Sequence, residues 1–159
     1  MEPILEILTD NARTPTETIA QMLGQPVETV AARIRQLEED KTILGYKALI
    51  DADKADAERV RAVIEVKITP ERDGGFNRIA NRIARYDEVH SCHLMSGSYD
   101  LLVVVDGKDL KDVAQFVSAK LSTIQGVLST ATHFMLKAYK EQGTVIGVEE
   151  SSERLKVSP

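Results

Sequence analysis

The chain is poor in residues that would staple it or anchor it. Only one of its 159 residues is a cysteine, Cys92, so no disulfide can close within it, and a reducing cytoplasm is the expected compartment. No early apolar run reaches the length of a signal peptide or a membrane span, which sets aside export and membrane insertion. Positive charge is scarce too. The 20 Lys and Arg residues stand against 25 Asp and Glu, a net charge of −5, which excludes a uniformly basic nucleic-acid coat but leaves room for a local basic stripe. There is no glycine-rich phosphate loop and no nucleophile with an identifiable base, so neither an enzyme nor a cofactor is expected. Tryptophan is missing as well, without consequence. What is present is 43% hydrophobic content, enough in a chain of this length to bury one core or two small ones without metal or disulfide support.

Two patterns divide the chain. Residues 1 to about 45 carry only helical periodicity, whereas residues 60 to 139 alternate strand-like and helical stretches, which predicts two domains. In the first, Pro3 suits an opening helical turn, followed by the apolar stripe Ile4, Leu5, Ile7 and Leu8. Thr16 is a candidate cap for a second helix with Ile19, Met22 and Leu23 facing inward, and "LGQP" at residues 23–26 breaks it. A third helix is predicted over 27–40, with Val30, Ile34 and Leu37 on its buried face and Glu28, Thr29, Ala32, Arg33 and Gln36 on the opposite one. Two helices joined by a tight glycine turn make a helix-turn-helix, whose second member enters the DNA major groove. A small helical bundle of any function shows the same pattern. Residues 1–50 are acidic, with Arg13, Arg33, Arg35, Lys41 and Lys47 against Glu2, Glu6, Asp10, Glu17, Glu28, Glu38, Glu39 and Asp40. A sensor or adaptor with weak or lost DNA binding therefore stays open beside a DNA-binding regulator. In the regulator reading, Thr29 and Arg33 lie nearest base edges and Arg35 or Lys41 nearer phosphates, since arginine fits guanine bidentately.

In the second part, "RVRAVIEVKI" at residues 59–68 alternates cleanly as a half-buried strand. "FNRIANRIARY" is helical, "VHSCHLM" and "LLVVV" are extended, Asp109 caps a helix carrying Leu110, Val113, Phe116, Val117 and Leu121, and "LSTATHFML" is a last strand. The order strand, helix, strand, strand, helix, strand is that of a ferredoxin-like α/β sandwich, so the fold class is α+β. In "LLVVV" both alternating sets are apolar, so the face away from the helices also wants cover, and a second copy of the sheet supplies it in a twofold dimer. "HSCH" at residues 90–93 raises a rival, a metal or thiol site. Strand alternation puts His90 and Cys92 on one face and His93 on the other, which denies three ligands a common point, and no metal is expected. The loop "SGSYD" at 96–100 has two readings: plain hairpin chemistry around Gly97, or a polar pocket of backbone amides and hydroxyls for a small guest.

Taken together, "TETIAQMLGQPVETVAARIRQLEEDKTILGYKALID" and "VHSCHLMSGSYDLLVVV" with "LSTIQGVLSTATHFML" resemble the Lrp/AsnC, or feast/famine, transcription regulators over about Ile4 to Lys140. The resemblance implies an N-terminal winged helix-turn-helix over 1–50, a linker over 51–59, an amino-acid-sensing and dimerising sandwich over 60–140, and a polar C-terminal tail over 141–159. "ILGYKALID" matches the stretch after the recognition helix. The implied partners are DNA, an amino-acid effector and a second copy, with dimers assembling further into octamers. The DNA-facing residues are then Glu28, Thr29, Ala32, Arg33, Arg35, Gln36 and Lys41. The effector site comprises Met95, Ser96, Gly97, Ser98, Tyr99, Asp100 and Thr130, with hydroxyls and amides for the carboxylate, Asp100 for the ammonium and Met95 for an apolar side chain. The chain departs from the family pattern in three ways. It has fewer residues before the first helix. Pro26, Ala32 and Gln36 stand where a serine cap and further basic residues are usual, which implies modest DNA affinity. In the loop, Gly97, Ser98, Tyr99 and Asp100 replace Gly, Asp, aromatic, Asp, which puts the effector's identity in question.

Overall fold

The computed structural model describes residues 1–52, 54–55, 59–69 and 75–146. The chain divides into two compact units, Met1–Leu49 and Ile50–Pro159.

The first unit holds three helices, α1 (Pro3–Asp10), α2 (Thr16–Leu23) and α3 (Val27–Glu39). Prolines set where they begin. Pro3 occupies the first turn of α1, and Pro15 and Pro26, both extended, precede α2 and α3. The carbonyls of these last two accept the opening helical hydrogen bonds, from Ile19 N at 3.0 Å and from Val30 N at 3.2 Å. Thr16 was expected to cap α2, but it lies inside the first turn and no side chain caps that end. The restricted φ of proline does the work of a hydroxyl cap. Gly24, at φ 63, closes α2 with its amide bonded to Ala20 and Gln21 carbonyls. Ile4, Ile19, Ala20, Val30 and Leu37 form the core, with Leu5, Ile7, Leu8, Leu23, Ile34 and Ile43 packed around it. Met22, expected inside, is 63% exposed. Ala20 takes the inward position instead, because it lies about 100° from Ile19 on the side toward Leu23, whereas Met22 lies about 60° away on the other side.

Beyond α3, residues 44–50 form no regular element, and the expected wing makes no strand pairing among the described residues. Tyr46 ties this stretch to the helix, its hydroxyl donating to Glu38 Oε1 at 2.9 Å.

The second unit follows the predicted order: β1 (Val60–Ile68), α4 (Asn77–Ile83), β2 (Val89–Leu94), β3 (Leu101–Gly107), α5 (Leu110–Phe116) with a π-helical turn at Val117–Leu121, and β4 (Val127–Phe134). The sheet order is β2-β3-β1-β4, antiparallel throughout. Ala62, Ile64, Val66 and Ile68 of β1 and Leu101, Val103 and Val105 of β3 bury one face under Ile79 and Ile83 of α4 and Val113, Phe116 and Leu121. Tyr86 meets Phe116 edge to face at 5.6 Å between ring centres. Asp109 caps α5 as expected, accepting from Asp112 N at 2.7 Å. Leu110, in the first turn of α5, is 57% exposed.

The other face carries Arg61, Val63, Glu65, Lys67, Leu102, Val104 and Asp106 from the two central strands. Val63 pairs with Val104 and Glu65 with Leu102, and Val63, Leu102 and Val104 are only half-buried. A bulge between Val89 and Ser91 resets the alternation of β2. Cys92, opposite Val103, therefore turns to the helices, with Sγ 4.0 Å from the Ala80 carbonyl oxygen, and His93 lies opposite Leu102. His90 sits at the bulge, Nδ1 3.8 Å from Asp106 Oδ2, so it does not share a face with Cys92 as strict alternation had predicted. No group of three or more His, Cys, Asp or Glu side chains converges among the described residues. Regular structure continues past Lys140: a hairpin of β5 (Lys140–Glu141) and β6 (Thr144–Val145) occupies the start of what was expected to be a polar tail, and residues 147–159 of that tail lie outside the described residues. No helix among the described residues is long and apolar enough to cross a membrane.

Candidate DNA-reading helix and effector loop

The outward face of α3 presents Glu28, Thr29, Ala32, Arg35 and Gln36, all exposed, and Lys41 is exposed just beyond its end. Val30 and Leu37 anchor the opposite face in the core. Lys41 takes a left-handed conformation, φ 63, and Ile43 N bonds back to the Leu37 carbonyl at 2.8 Å, which turns the chain sharply off the helix. Arg33 departs from the expected outward arrangement. It lies about 60° from Val30 around the helix, on the flank of the buried stripe, and it is only partly exposed. Its Nε donates to Glu2 Oε1 at 2.7 Å and its Nη2 to Glu2 Oε2 at 2.8 Å, while Nη1 donates to Gln36 Oε1 at 2.9 Å. The hydrogen bonds from Arg33 hold the Glu2 carboxyl below the usual carboxylate range, and the same bonds raise the guanidinium. Glu2 is the neighbour of Arg33 that pattern reading missed. Its only local signal was an acidic residue just before Pro3, a position that favours negative charge at a helix start.

The second site lies at one end of the sheet. The loop from Met95 to Asp100 joins β2 to β3, with Met95, Ser96, Gly97 and Ser98 exposed and Tyr99 and Asp100 half-buried. Gly97 has φ 149, a conformation that side-chain-bearing residues rarely adopt. Asp100 is the keystone of the loop. Its amide donates to the Val66 carbonyl at 3.0 Å, its carbonyl accepts from Met95 N at 2.8 Å, and its Oδ2 accepts from Ile68 N at 2.8 Å. One carboxylate oxygen is thus engaged by the end of β1, a partner that the sequence pattern did not disclose. Thr130, opposite Val66 in β4, is separated from Leu101 by β1, so its Cα lies two strand spacings, about 10 Å, from that end of β3. The six loop residues are brought together; Thr130 stands apart from them across the sheet.

An exposed second helix of a helix-turn-helix in one unit and a polar loop at the end of a ferredoxin-like sheet in the other form the arrangement of a regulator with separate DNA-binding and ligand-binding domains. The model of the AsnC-type helix-turn-helix domain matches residues 3–38, and that of the Lrp/AsnC ligand binding domain matches residues 61–145. The chain belongs to the Lrp/AsnC family of transcriptional regulators. It is 52% identical over 157 residues to the uncharacterized HTH-type transcriptional regulator YugG of Bacillus subtilis, covering 98% of this chain and 95% of that one. Among solved structures, a transcriptional regulator of Neisseria meningitidis in complex with L-Met is similar in fold, with TM-score 0.69 and 24% identity, over 90% of this chain and 92% of that one. A feast or famine regulatory protein of M. tuberculosis complexed with L-methionine has TM-score 0.68 and 20% identity, over 87% and 90%.

Proposed function

We propose that this chain is a cytoplasmic, non-enzymatic regulator that reads DNA as a dimer through α3 and responds to a free amino acid held by the Met95–Asp100 loop. The observation that carries the effector assignment is the Asp100 keystone. A carboxylate with one oxygen on Ile68 N–H retains lone pairs for an ammonium, and the exposed Ser96 and Ser98 offer hydroxyls to the effector's carboxylate. Met95, 37% exposed, lies beside them for an apolar side chain, and the similar regulators solved with methionine support that preference. Thr130 joins the site only if the effector or a second dimer spans the sheet edge. On the DNA side, Glu28, Thr29, Ala32 and Gln36 face base edges, and Arg35 and Lys41 approach phosphates. The half-buried, uncovered Val63, Leu102 and Val104 support a dimer through the sheets, and such dimers can assemble further into octamers. Two recognition helices in a twofold dimer call for a pseudo-palindromic operator with half-sites about 34–36 Å apart or a multiple of that.

The acidic first unit keeps a second reading in play, a sensor or adaptor without DNA affinity. A gel shift with the DNA upstream of the protein's own coding region separates the two. The effector assignment is tested by a thermal-shift screen of the twenty amino acids on the wild type and on Gly97→Val. A Cβ at Gly97 meets no atom within 4 Å, so the variant acts through the strained φ and through its side chain in the loop, not through a clash at Cβ. The expected result is one or a few hits on the wild type, each weakened in the variant, with about 2.7 kcal/mol of stabilisation at 100 times the dissociation constant. No hit, or a hit that the variant leaves intact, returns the loop to being a plain turn.

A further inference from the structure

All three histidines of the chain, His90, His93 and His133, are exposed on the face of the sheet that the helices leave uncovered. Strand register sets two of them around its apolar centre. His133 of β4 lies beside Val63 and His93 of β2 beside Leu102, each one strand spacing, about 4.8 Å, from a side chain left without cover. A surface that covers Val63, Leu102 and Val104 across the strands therefore reaches the imidazoles as well. His90 stands at the Arg61–Asp106 pair, Nδ1 3.8 Å from Asp106 Oδ2, and His133 Nε2 is 3.5 Å from Glu65 Oε1. The fixed charges around these rings cancel. The cations are Arg61 and Lys67 of β1 with Arg59, which acts on Asp106; the carboxylates are Glu65 of β1, Asp106 of β3 and Glu141 of β5, which acts on Arg61. On the same face β2 and β4 add the uncharged Ser91, Ser129 and Ala131.

We infer, resting on the dimer through this sheet proposed above, that the face is an acid-sensitive interface with a second copy of the chain. The dimer forms while the imidazoles are neutral and separates as they gain protons, between about pH 7.5 and about pH 5.5. With neutral imidazoles the face carries no net charge, so two copies meet without repulsion. Three added protons bring it to +3, and a twofold axis sets that face against its own like. Glu65 and Asp106 are already balanced by Arg61 and Lys67, and a carboxylate gains no further charge as pH falls. Burial acts in the same direction, because removing water disfavours the charged imidazole. Protons thus bind the separated copies more readily than the dimer, and falling pH favours separation. His93 carries the largest share, since it faces Leu102, whereas His90 and His133 each stand beside a carboxylate that offsets the added proton.

The test is sedimentation equilibrium of the full-length chain at fixed salt and at those two pH values, with far-ultraviolet circular dichroism to report whether the fold persists. The wild-type dissociation constant should rise about a hundredfold on acidification, tenfold for each of two imidazoles, one per copy, that association keeps neutral. His93→Gln should reduce the rise to about tenfold or less, and His133→Gln should leave most of it. The triple variant His90→Gln, His93→Gln, His133→Gln should dimerise alike at both pH values. A folded wild type whose dissociation constant moves by less than about threefold overturns the inference. A rise that the triple variant keeps in full also overturns it, because the acid sensitivity then lies elsewhere. So does unfolding at the lower pH in wild type and triple variant alike. If the triple variant fails to fold or to dimerise at the higher pH, His93→Gln decides, and a rise as large as that of the wild type overturns the assignment. A wild type that is monomeric at the higher pH removes the dimer itself, a failure visible before any acid is added, and this inference falls with it.

Discussion

Adding one methyl group at Gly126 should strain the end of the sheet that holds the Met95–Asp100 loop. Gly126 has φ 96, and a Cβ there would lie 2.6 Å from Ile79 Cδ1 and 3.8 Å from its Cγ1. Two costs follow from Gly126→Ala. Holding alanine at positive φ costs about 1–2 kcal/mol. Relieving the contact costs about 1–3 kcal/mol more, because Cδ1 can swing away only into a packed core, and Ile79 is 1% exposed. The expected loss is about 3 kcal/mol. The second term can be isolated with Ile79→Val, which deletes the clashing Cδ1 and by itself costs about 1 kcal/mol. In that background Gly126→Ala should cost only its backbone strain, so the two changes should couple favourably by about 1.5 kcal/mol. Urea unfolding followed by far-ultraviolet circular dichroism, at one protein concentration for all four proteins, measures the cycle. A cost below about 1 kcal/mol for Gly126→Ala, or a coupling near zero, would refute this account of the turn. The strain also reaches the site. The Gly126 carbonyl accepts from Thr69 N at 2.8 Å, one residue beyond the Ile68 amide that holds Asp100, so Gly126→Ala should weaken any amino acid found in the screen.

Leu102→Glu places a carboxylate between Glu65 and His93 on the uncovered face of the sheet. Burying that charge between subunits should cost about 3 kcal/mol and raise the dimer dissociation constant more than a hundredfold; sedimentation of the wild type as a monomer at micromolar concentration would overturn the dimer itself. The bidentate bond from Arg61 to Asp106, at 2.6 and 3.0 Å, lowers the Asp106 carboxyl below its ordinary range. A carboxyl lowered in the folded state stabilises it above the unfolded value, and that contribution is lost as pH falls through the folded one. Asp106→Asn should therefore be less stable than the wild type by up to about 1 kcal/mol near neutrality, since solvent reaches the pair, and the gap should close as pH drops below about 4. A gap that persists unchanged to low pH would show that the ion pair is not its source.

The alternation in residues 60–68, the helical spacing of Val30, Ile34 and Leu37, and the order of elements after Val60 were enough to predict both folds. Local periodicity carries the burial pattern, and in each case the buried face is the one the pattern marked. Asp109 and Gly24 were legible for the same reason: a cap acts within a few residues of itself. What failed were predictions in which sequence spacing stood in for three-dimensional direction. Thr16 lost its capping role to Pro15, Met22 its inward place to Ala20, and His90 its shared face with Cys92 to a bulge in β2. The sites depended most on tertiary structure. Glu2 and Arg33 are 31 residues apart and Asp100 and Ile68 are 32 apart, and no local pattern records such a pair. The sequence by itself supplied a helix with an arginine on it and a loop with one carboxylate. Only the packing of α1 against α3, and of the β2–β3 loop against the end of β1, decided that both charged groups have partners within the chain, because a hydrogen bond depends on where atoms lie in space and not on how far apart they are along the backbone.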